Sequence, residues 1–371
     1  MAETNTAEIR KPKKKKSGFA VFLLIWVIVL LVLIGVGLFI FRNFMVEYEA
    51  SRPITAMTNY IAALDENDIR TAAQQYVAGL SYKVQSDDEI YSYLEDVFTG
   101  YTYAKSSSRS TEGNPVYVLQ NNGIVFGEIT LERGSEGSFG LIPWQVAGTE
   151  YKFDDLFRTA TVTVPADYKV TFNGTTLGRA NVSDSQVKYE LLETFYGNRE
   201  LPTLPYLTEY TYTYIGEDLL EVQDASGLNV PPENRNEDYY DNNCTAEEKA
   251  VIDEFTEGFV PCFVSFAANT DYNTWYNFNQ LMEYVVSGGD MEERLRGAAG
   301  GLGFAYDQGN EVTSISVDRY MNLGGGYYAF EFTYLVDTTG YDGVVSVTNH
   351  MRLVVTQRDW GGYAAVSWDK F

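Results

Sequence analysis

The chain contains a single histidine, His350, and histidine is the side chain whose ordinary pKa best suits proton transfer near neutral pH. Alternation of apolar and polar residues predicts a strand over residues 344–357. On that strand His350 shares its face with Thr348, whereas Met351 faces the other way. A histidine on the polar face is typical of a sheet surface, so we predict no acid-base role for His350.

The two cysteines, Cys244 and Cys262, are the next candidates for chemistry. A Cys/His hydrolase needs Cys262 beside His350 and a third group that orients the base. Cys262 lies in the phenylalanine-rich segment Phe259–Phe266, which predicts a small buried thiol. On one unbroken helix the offset of eighteen positions from Cys244 to Cys262 corresponds to about 27 Å, well beyond the ~7 Å limit for a disulfide. Pro261 can break that helix, so a disulfide stays open, although we favour two free thiols.

Two glycine-containing segments resemble ligand-binding loops only superficially. The run Gly297–Gly303 follows a predicted helix and precedes strands, whereas a dinucleotide-binding loop follows a strand and opens a helix. The segment Asp337–Gly343 lacks the alternating oxygen ligands of a calcium loop and predicts a hairpin turn. Lys-Thr-Gly and Ser-Asp-Asn are absent, which excludes an acyl-serine penicillin-binding enzyme, and the absence of Asp-x-Asp disfavours a metal-dependent sugar transferase. We predict no cofactor and no metal site.

The positive signal for binding is the abundance of aromatic residues, with 29 Tyr, 21 Phe and 5 Trp. Aromatic rings offer large contact areas to a glycan or a peptide. Trp275, Trp360 and Trp368 in the last third of the chain are the candidate ligand-binding residues, because an exposed tryptophan is costly without a use. The alternative for each of them is a place in the core. A second open alternative is hydrolysis by two carboxylates, which act at separations of about 5–9.5 Å.

The segment Gly18–Phe41 has 24 residues without a charged side chain and follows six basic residues between Arg10 and Lys16. As a helix it is about 36 Å long, enough to cross a hydrocarbon core of about 30 Å. A small-residue cleavage site is absent, which favours an uncleaved signal anchor over a signal peptide. The excess of Lys and Arg before the segment predicts a cytoplasmic N-terminus and an extracellular C-terminus.

The charge of the chain excludes nucleic acid as a partner. The net charge is −24, and residues 1–17 carry +4, which leaves −28 on residues 18–371. Binding of nucleic acid needs Lys and Arg to neutralise phosphates. We therefore expect the membrane, with a cell-wall glycan, a peptide or an envelope protein, as the partners.

The order of predicted elements divides the chain into domains. Helical periodicity is followed by short alternating runs in two places, which predicts two units of helices followed by a sheet. Between them Asn173-Gly174 separates two β-rich runs and predicts a type I′ hairpin. The predicted divisions are a basic tail (1–17), a transmembrane helix (18–41), a helices-and-sheet domain (42–156), a small all-β module (157–230), an acidic linker (231–244) and a second helices-and-sheet domain (245–371).

Helices that cover a bent antiparallel sheet resemble the NTF2-like cone fold, and the hairpin Val162–Leu177 resembles PEGA-like or immunoglobulin-like β modules. A basic tail, one span and alternating domains of these kinds are similar to the Gram-positive envelope proteins of TcaA-like architecture. Residues 1–17 lack the paired cysteines of the zinc ribbon that often begins that family. The resemblance implies an α+β fold.

The expected function is that of a membrane-anchored, extracytoplasmic binding or scaffolding protein of the bacterial cell envelope without catalytic activity. The alternatives are an envelope hydrolase that acts on glycan or peptide through paired carboxylates, and a spacer. A pocket with converging polar groups favours binding or catalysis, whereas two filled cones favour the spacer.

Overall fold

The computed structural model describes residues 18–64, 66–268, 274–298, 309–340 and 343–370. The basic tail and most of the glycine run Gly297–Gly303 lie outside these residues. The chain forms two compact units, residues 1–79 with 87–157 and residues 80–86 with 158–371. The helices are α1 (Gly18–Ala50), α2 (Pro53–Ala63), α3 (Glu66–Ala78), α4 (Asp87–Phe98), α5 (Glu237–Asp241), α6 (Ala246–Ala268), α7 (Thr274–Met282) and α8 (Asp290–Gly297).

The strands form four sheets, and the predicted α+β class is confirmed. The sheets have the orders β1-β2-β3-β4, β5-β9-β8, β10-β6-β7 and β11-β12-β13-β14. The strands are β1 (Thr102–Lys105), β2 (Val116–Asn121), β3 (Ile124–Arg133), β4 (Trp144–Tyr151), β5 (Phe157–Pro165), β6 (Lys169–Phe172), β7 (Thr175–Thr176), β8 (Val182–Val187), β9 (Leu207–Ile215), β10 (Leu220–Gln223), β11 (Asn310–Gly324), β12 (Tyr327–Gly340), β13 (Gly343–Gln357) and β14 (Tyr363–Lys370).

In the first unit, α1 continues nine residues beyond the predicted end of the apolar segment at Phe41, as far as Ala50. Among the described residues it is the one helix long and apolar enough to cross a membrane. Its last turns contact the first unit, because the Glu47 carboxylate accepts the backbone N–H groups of Ser138 and Phe139. The Phe44 ring packs edge-to-face on Phe139 at 5.7 Å. Thus α1 joins this unit as part of its structure.

The β5–β10 segment of the second unit contains the predicted hairpin. Asn173 and Gly174 have φ angles of +47° and +75°, the left-handed values that a type I′ turn needs. They join β6 to β7 in antiparallel pairing. Val170 and Phe172 of β6 are buried in this module. The hairpin prediction is confirmed.

The sheet of β11–β14 is covered on its inner face by α6, α7 and α8. Thr245 and Glu248 form a capping box at the start of α6, in which the backbone N–H of each residue donates to the side chain of the other. The buried inner cluster includes one stripe of α6 and alternate residues of β12. These are Phe255, Phe259 and Phe263 of α6, and Tyr328, Phe330, Phe332, Tyr334 and Val336 of β12. On the outer face Met321, Ala329, Val354 and Val366 share a buried cluster with residues of the β module. The sheet therefore has both faces covered along much of its length.

One local expectation needs revision, and one open alternative is decided. The segment predicted as an acidic linker contains the short helix α5, whose Tyr240 and Asp241 are buried. The division into domains at this segment remains a prediction. Helix α6 passes through Pro261 without a break, and both cysteines are free. The favoured prediction of two free thiols agrees with this geometry.

Candidate functional site

A cavity of about 220 Å³ lies at one end of the last sheet, between the C-terminal turns of α6 and the neighbouring parts of β12 and β13. Its apolar lining is Phe263, Val264, Ala267, Ala268, Val336 and Val347, and its polar lining is Asn310, Tyr334, Thr338, Asn349 and Lys370. A smaller cavity of about 150 Å³ lined by apolar side chains is enough to bind benzene. This one can accept one or two apolar side chains or a small ring.

The polar residues of the cavity are arranged in pairs. The Thr338 hydroxyl donates to Asn310 Oδ1 at 2.9 Å, and Lys370 Nζ donates to Asn349 Oδ1 at 3.0 Å. The amide Nδ2 of Asn310 is buried and has no hydrogen-bond partner among the described residues. Burial raises the pKa of Tyr334 to about 12, so its hydroxyl keeps its proton at neutral pH. The cavity thus combines an apolar base with neutral and cationic polar groups.

The cavity exists because two paired strands end at different places. β14 ends at Lys370, opposite Met351, whereas β13 extends away from that pair as far as Gly343. Alternation predicts that Val345 and Val347 share the inner face with the buried Met351. They do not share its burial, since 60% of Val345 and 45% of Val347 is exposed. Period-2 patterning identifies a face and cannot show where a neighbouring strand stops.

The three candidate tryptophans do not converge. Trp275 on α7 is 58% exposed, with its ring 5.8 Å from that of Phe278. Trp360 is 81% exposed in the turn between β13 and β14, roughly 30 Å along the sheet from the cavity. Trp368 is half-buried against Phe263, a cavity residue, at 5.5 Å. Of the three, Trp368 alone has a ring contact with a residue of the cavity lining among the described residues.

His350 and Cys262 lie on opposite sides of the sheet. His350 Nδ1 is hydrogen-bonded to the Thr333 hydroxyl at 3.0 Å on the polar outer face. Cys262 packs against the inner cluster, and burial raises the pKa of its thiol, which disfavours the thiolate. This geometry does not assemble a Cys/His pair.

A buried ionic cluster surrounds Arg319, and no feature of the sequence predicted it. Arg319 on β11 pairs with the fully buried Asp241 of α5 and with Glu331 of β12, and Glu331 also pairs with Arg352 of β13. Burial raises the pKa of Asp241 to about 7, and the Arg319 charge opposes that shift. The only available signal was the acidic segment itself, whose composition is equally typical of a linker.

The lining of the cavity contains no carboxylate, histidine or thiol among the residues that the structure describes. Among the same residues no group of three or more His, Cys, Asp or Glu side chains could hold a metal ion. A reaction by general acid and base needs two titratable groups in reach of one substrate. The described lining can bind and orient a ligand by apolar contact and hydrogen bonds.

Comparison with known proteins gives fold resemblances only. No protein-family model matches the chain, and no curated protein matches it significantly. Among solved structures it is similar to an NTF2-like potential transfer protein, TraM, from the Gram-positive conjugative plasmid pIP501, at 15% identity and a TM-score of 0.23, over 33% of this chain and 96% of that one. It is similar to an NTF2-like protein involved in plasmid conjugation, at 11% identity and a TM-score of 0.25, over 78% and 91% of the two chains.

A third similar structure is Aln2 from a Streptomyces species, at 14% identity and a TM-score of 0.24, over 34% of this chain and 91% of that one. At these identities and TM-scores none of the matches supports a statement about the function of this chain.

Proposed function

We propose that the chain is a membrane-anchored binding or scaffolding protein of the bacterial cell envelope, without catalytic activity. The observation that carries the proposal is the cavity beside β13, because it joins an apolar base to convergent polar groups without an acid-base pair. The Nδ2 atom of Asn310, a residue of the cavity lining, is buried and has no hydrogen-bond partner among the described residues.

The proposed location rests on α1 and on the charges around it. Helix α1 combines sufficient length with an uncharged run from Gly18 to Phe41. Six basic residues precede this run, and residues beyond it are strongly acidic. The proposed orientation is therefore a cytoplasmic N-terminus with the folded units outside. Protease added to intact cells should remove a C-terminal tag and spare an N-terminal one, and the reverse pattern would overturn the orientation.

The rival proposal of a hydrolase needs two carboxylates that face a substrate. Asp241 and Glu331 lie close together, but both form ion pairs with Arg319. Asp241 has no exposed surface. A buried carboxylate that is paired with an arginine holds α5 against the sheet and is not accessible to a substrate. The described cavity therefore favours binding over hydrolysis.

Photo-crosslinking in intact cells tests the proposal. We expect p-benzoylphenylalanine in place of Val347, at the cavity, to yield a discrete crosslinked product. The same residue in place of Leu228, an apolar side chain that is 68% exposed on the β module, is the matched control. Val347→Asp in a chain that carries the crosslinker at Asn349 should abolish the product, because it places a charge in the apolar lining. Equal products from Val347 and Leu228 would overturn the proposal.

A further inference from the structure

One stretch of β13 has a free edge. β14 pairs with β13 only from Met351 to Gln357, and β12 occupies the other side of β13 along its whole length. From Gly343 to Asn349 the second edge has no strand partner among the residues that the structure describes. Its valines are exposed: 63% of Val344, 60% of Val345 and 45% of Val347. A strand edge of this kind presents unpaired backbone groups to any extended chain.

This edge lacks the features that usually protect an exposed strand. Residues Gly343–Asn349 contain no charged side chain and no proline, and their pairing with β12 has no register shift. Natural proteins protect strand edges with charges, prolines, bulges or a covering segment.

The two outer strands of the same sheet carry such protection. β11 has three register shifts and the charged residues Glu311 and Asp318. β14 is covered by the segment Tyr284–Val286, since Ala365 donates its N–H to Tyr284 and accepts that of Val286. Protection is therefore absent at one place along the described sheet, the free edge of β13.

The backbone phase of β13 shows which groups face the free edge. In an antiparallel pair successive residues direct their N–H and C=O groups alternately to the two sides. The N–H of Gln357 donates to Gly326, on the β12 side, and that of Arg358 donates to Gly362, on the β14 side. Odd-numbered residues of β13 therefore pair with β12. The N–H groups of Val344, Ser346 and Thr348 face the free edge.

The free edge runs beside the cavity described above, because Val347 and Asn349 belong to both. A strand added to this edge places every second side chain on the inner face of the sheet. Those side chains lie next to an apolar space of about 220 Å³ that suits one or two of them. Backbone pairing combined with pockets for alternate side chains is the way in which sheet edges recognise extended peptides.

The geometry points to the free edge of β13 as a docking site for an extended segment of a partner protein, which adds a strand beside Val344–Thr348 and inserts apolar side chains into the cavity. This inference rests on the proposed binding function and names its ligand class. The partner segment has apolar residues at alternate positions, because the side chains that it inserts meet the apolar part of the cavity lining.

Charge favours a separate partner over a second copy of this chain. Residues 18–371 carry a net charge of −28, so two copies that approach edge to edge repel each other before their strands pair. A partner segment with basic flanks is attracted by the same charge. Salt screens interactions between charges but not the hydrogen bonds of strand pairing. Binding that depends on basic flanks should therefore weaken as the salt concentration is raised.

The test uses the full-length protein in detergent micelles. A phage-displayed library of random linear peptides is selected on the protein, with empty micelles as the blank. One selected peptide is then synthesised with a fluorescent label, and its Kd is measured by fluorescence anisotropy. Thr348→Pro removes an N–H that faces the free edge and leaves the β12 pairing intact, because edge strands tolerate proline at such positions. Thr348→Val keeps that N–H and is the matched control.

We expect selected peptides with alternating apolar residues, a Kd at least about ten-fold weaker for Thr348→Pro, and a Kd within about two-fold of wild type for Thr348→Val. Retained circular dichroism and an unchanged unfolding temperature confirm that the proline variant is folded. If the proline variant is unfolded, N-methylated peptides are tested on the wild-type protein in its place. Two peptides are compared, one methylated at the odd and one at the even positions of the paired part. Only the peptide whose methylated N–H groups would face β13 should lose binding.

Three results overturn the inference. Equal binding by Thr348→Pro and wild type, with binding lost in Val347→Asp, leaves the cavity function standing and refutes the strand pairing. Failure to select any peptide refutes the peptide class, while the crosslinking experiment still decides the proposed function. If the wild-type protein binds no peptide but forms a dimer that Thr348→Pro abolishes, the strand that pairs with the free edge belongs to a second copy of this chain.

Discussion

At the scale of single residues, the tryptophans occupy different environments. Trp368 packs on Phe263, and the Arg294 guanidinium lies 5.1 Å from the centre of its ring. Trp360 is almost wholly in solvent, with the Arg358 guanidinium 5.6 Å from its ring centre. The first ring holds the sheet and helices together, and the second is free to contact a partner.

We expect Trp368→Ala to lower the free energy of unfolding by about 3 kcal/mol, because it opens a gap beside Phe263. Trp360→Ala should change it by no more than about 0.5 kcal/mol, as usual for an exposed side chain. Urea unfolding followed by circular dichroism measures both. A large loss for Trp360→Ala would mean that its ring has a structural role.

His350→Ala should leave both folding and binding unchanged. Its hydrogen bond with Thr333 lies on the exposed outer face, so its loss should cost at most about 1 kcal/mol. The yield of the crosslinked product from position 347 reports on binding, and urea unfolding reports on stability. Loss of the product with stability retained would favour an active role for His350.

Strand periodicity describes the inner face of β12, where alternate residues from Tyr328 to Val336 are buried, but it gives the wrong orientation for Trp368. Tyr363 and Ala365 of β14 belong to the inner cluster, and simple alternation then turns residue 368 outward. A register shift leaves Val366 as an extra residue, since Val354 pairs with Ser367 and Val355 with Ala365. The bulge reverses the alternation, and Trp368 turns inward. No local residue pattern marks that position.

At the scale of elements, the decisive contacts of α5 are long-range. Asp241 pairs with Arg319, a residue 78 positions further along the chain. The composition of the segment Pro231–Asn243 is typical of a linker, and only the folded sheet supplies the cation that holds it. The capping box at Thr245 and the turn at Asn173 were predictable because both rest on neighbours in sequence. The ion pair of Asp241 with Arg319 was not predictable, because its partners are far apart in sequence and meet only in the folded protein.

The ionic cluster should make stability depend on pH. Burial raises the pKa of Asp241 to about 7, from 3.8 in an unfolded chain. The folded state therefore binds the proton more tightly, and this contribution to stability is complete below pH 3.8 and is lost as the pH rises through 7. Nearby acids Glu190, Glu237, Asp238 and Glu331 raise the local density of negative charge around Arg319.

We expect the free energy of unfolding of the wild-type protein to fall between about pH 4 and pH 7, with a smaller fall in Asp241→Asn, which cannot titrate at this position. The comparison concerns slopes, because the variant also loses the partner of Arg319. Urea unfolding at several pH values measures them. Equal slopes in the two proteins would show that Asp241 does not titrate in this range.

At the scale of the whole molecule, the two faces of the last sheet belong to different clusters. The inner face contacts α6–α8, and the outer face contacts the β module through Met321, Val354 and Val366. The sequence predicts a domain boundary between the module and residues 245–371. A boundary there leaves these side chains exposed in the isolated domain.

A fragment of residues 245–371 should still unfold cooperatively, as expected of an independent core. Its free energy of unfolding should be about 4 kcal/mol below that of residues 158–371, because at least three apolar side chains lose their cover. Urea unfolding of the two fragments tests this. Equal stabilities would mean that the β module contributes nothing to the sheet it covers.

Helix α1 has one more consequence if it crosses a bilayer. The nine residues from Arg42 to Ala50 continue the same helix for about 14 Å beyond the apolar run, and Glu47 fastens its end to Ser138 and Phe139. No hinge among the described residues separates α1 from the rest of the first unit, so the helix and the unit are expected to move together as one rigid body. A span that tilts by about 20° to match a thinner bilayer turns the first unit by the same angle. The orientation of the first unit relative to the membrane then depends on the thickness of the bilayer.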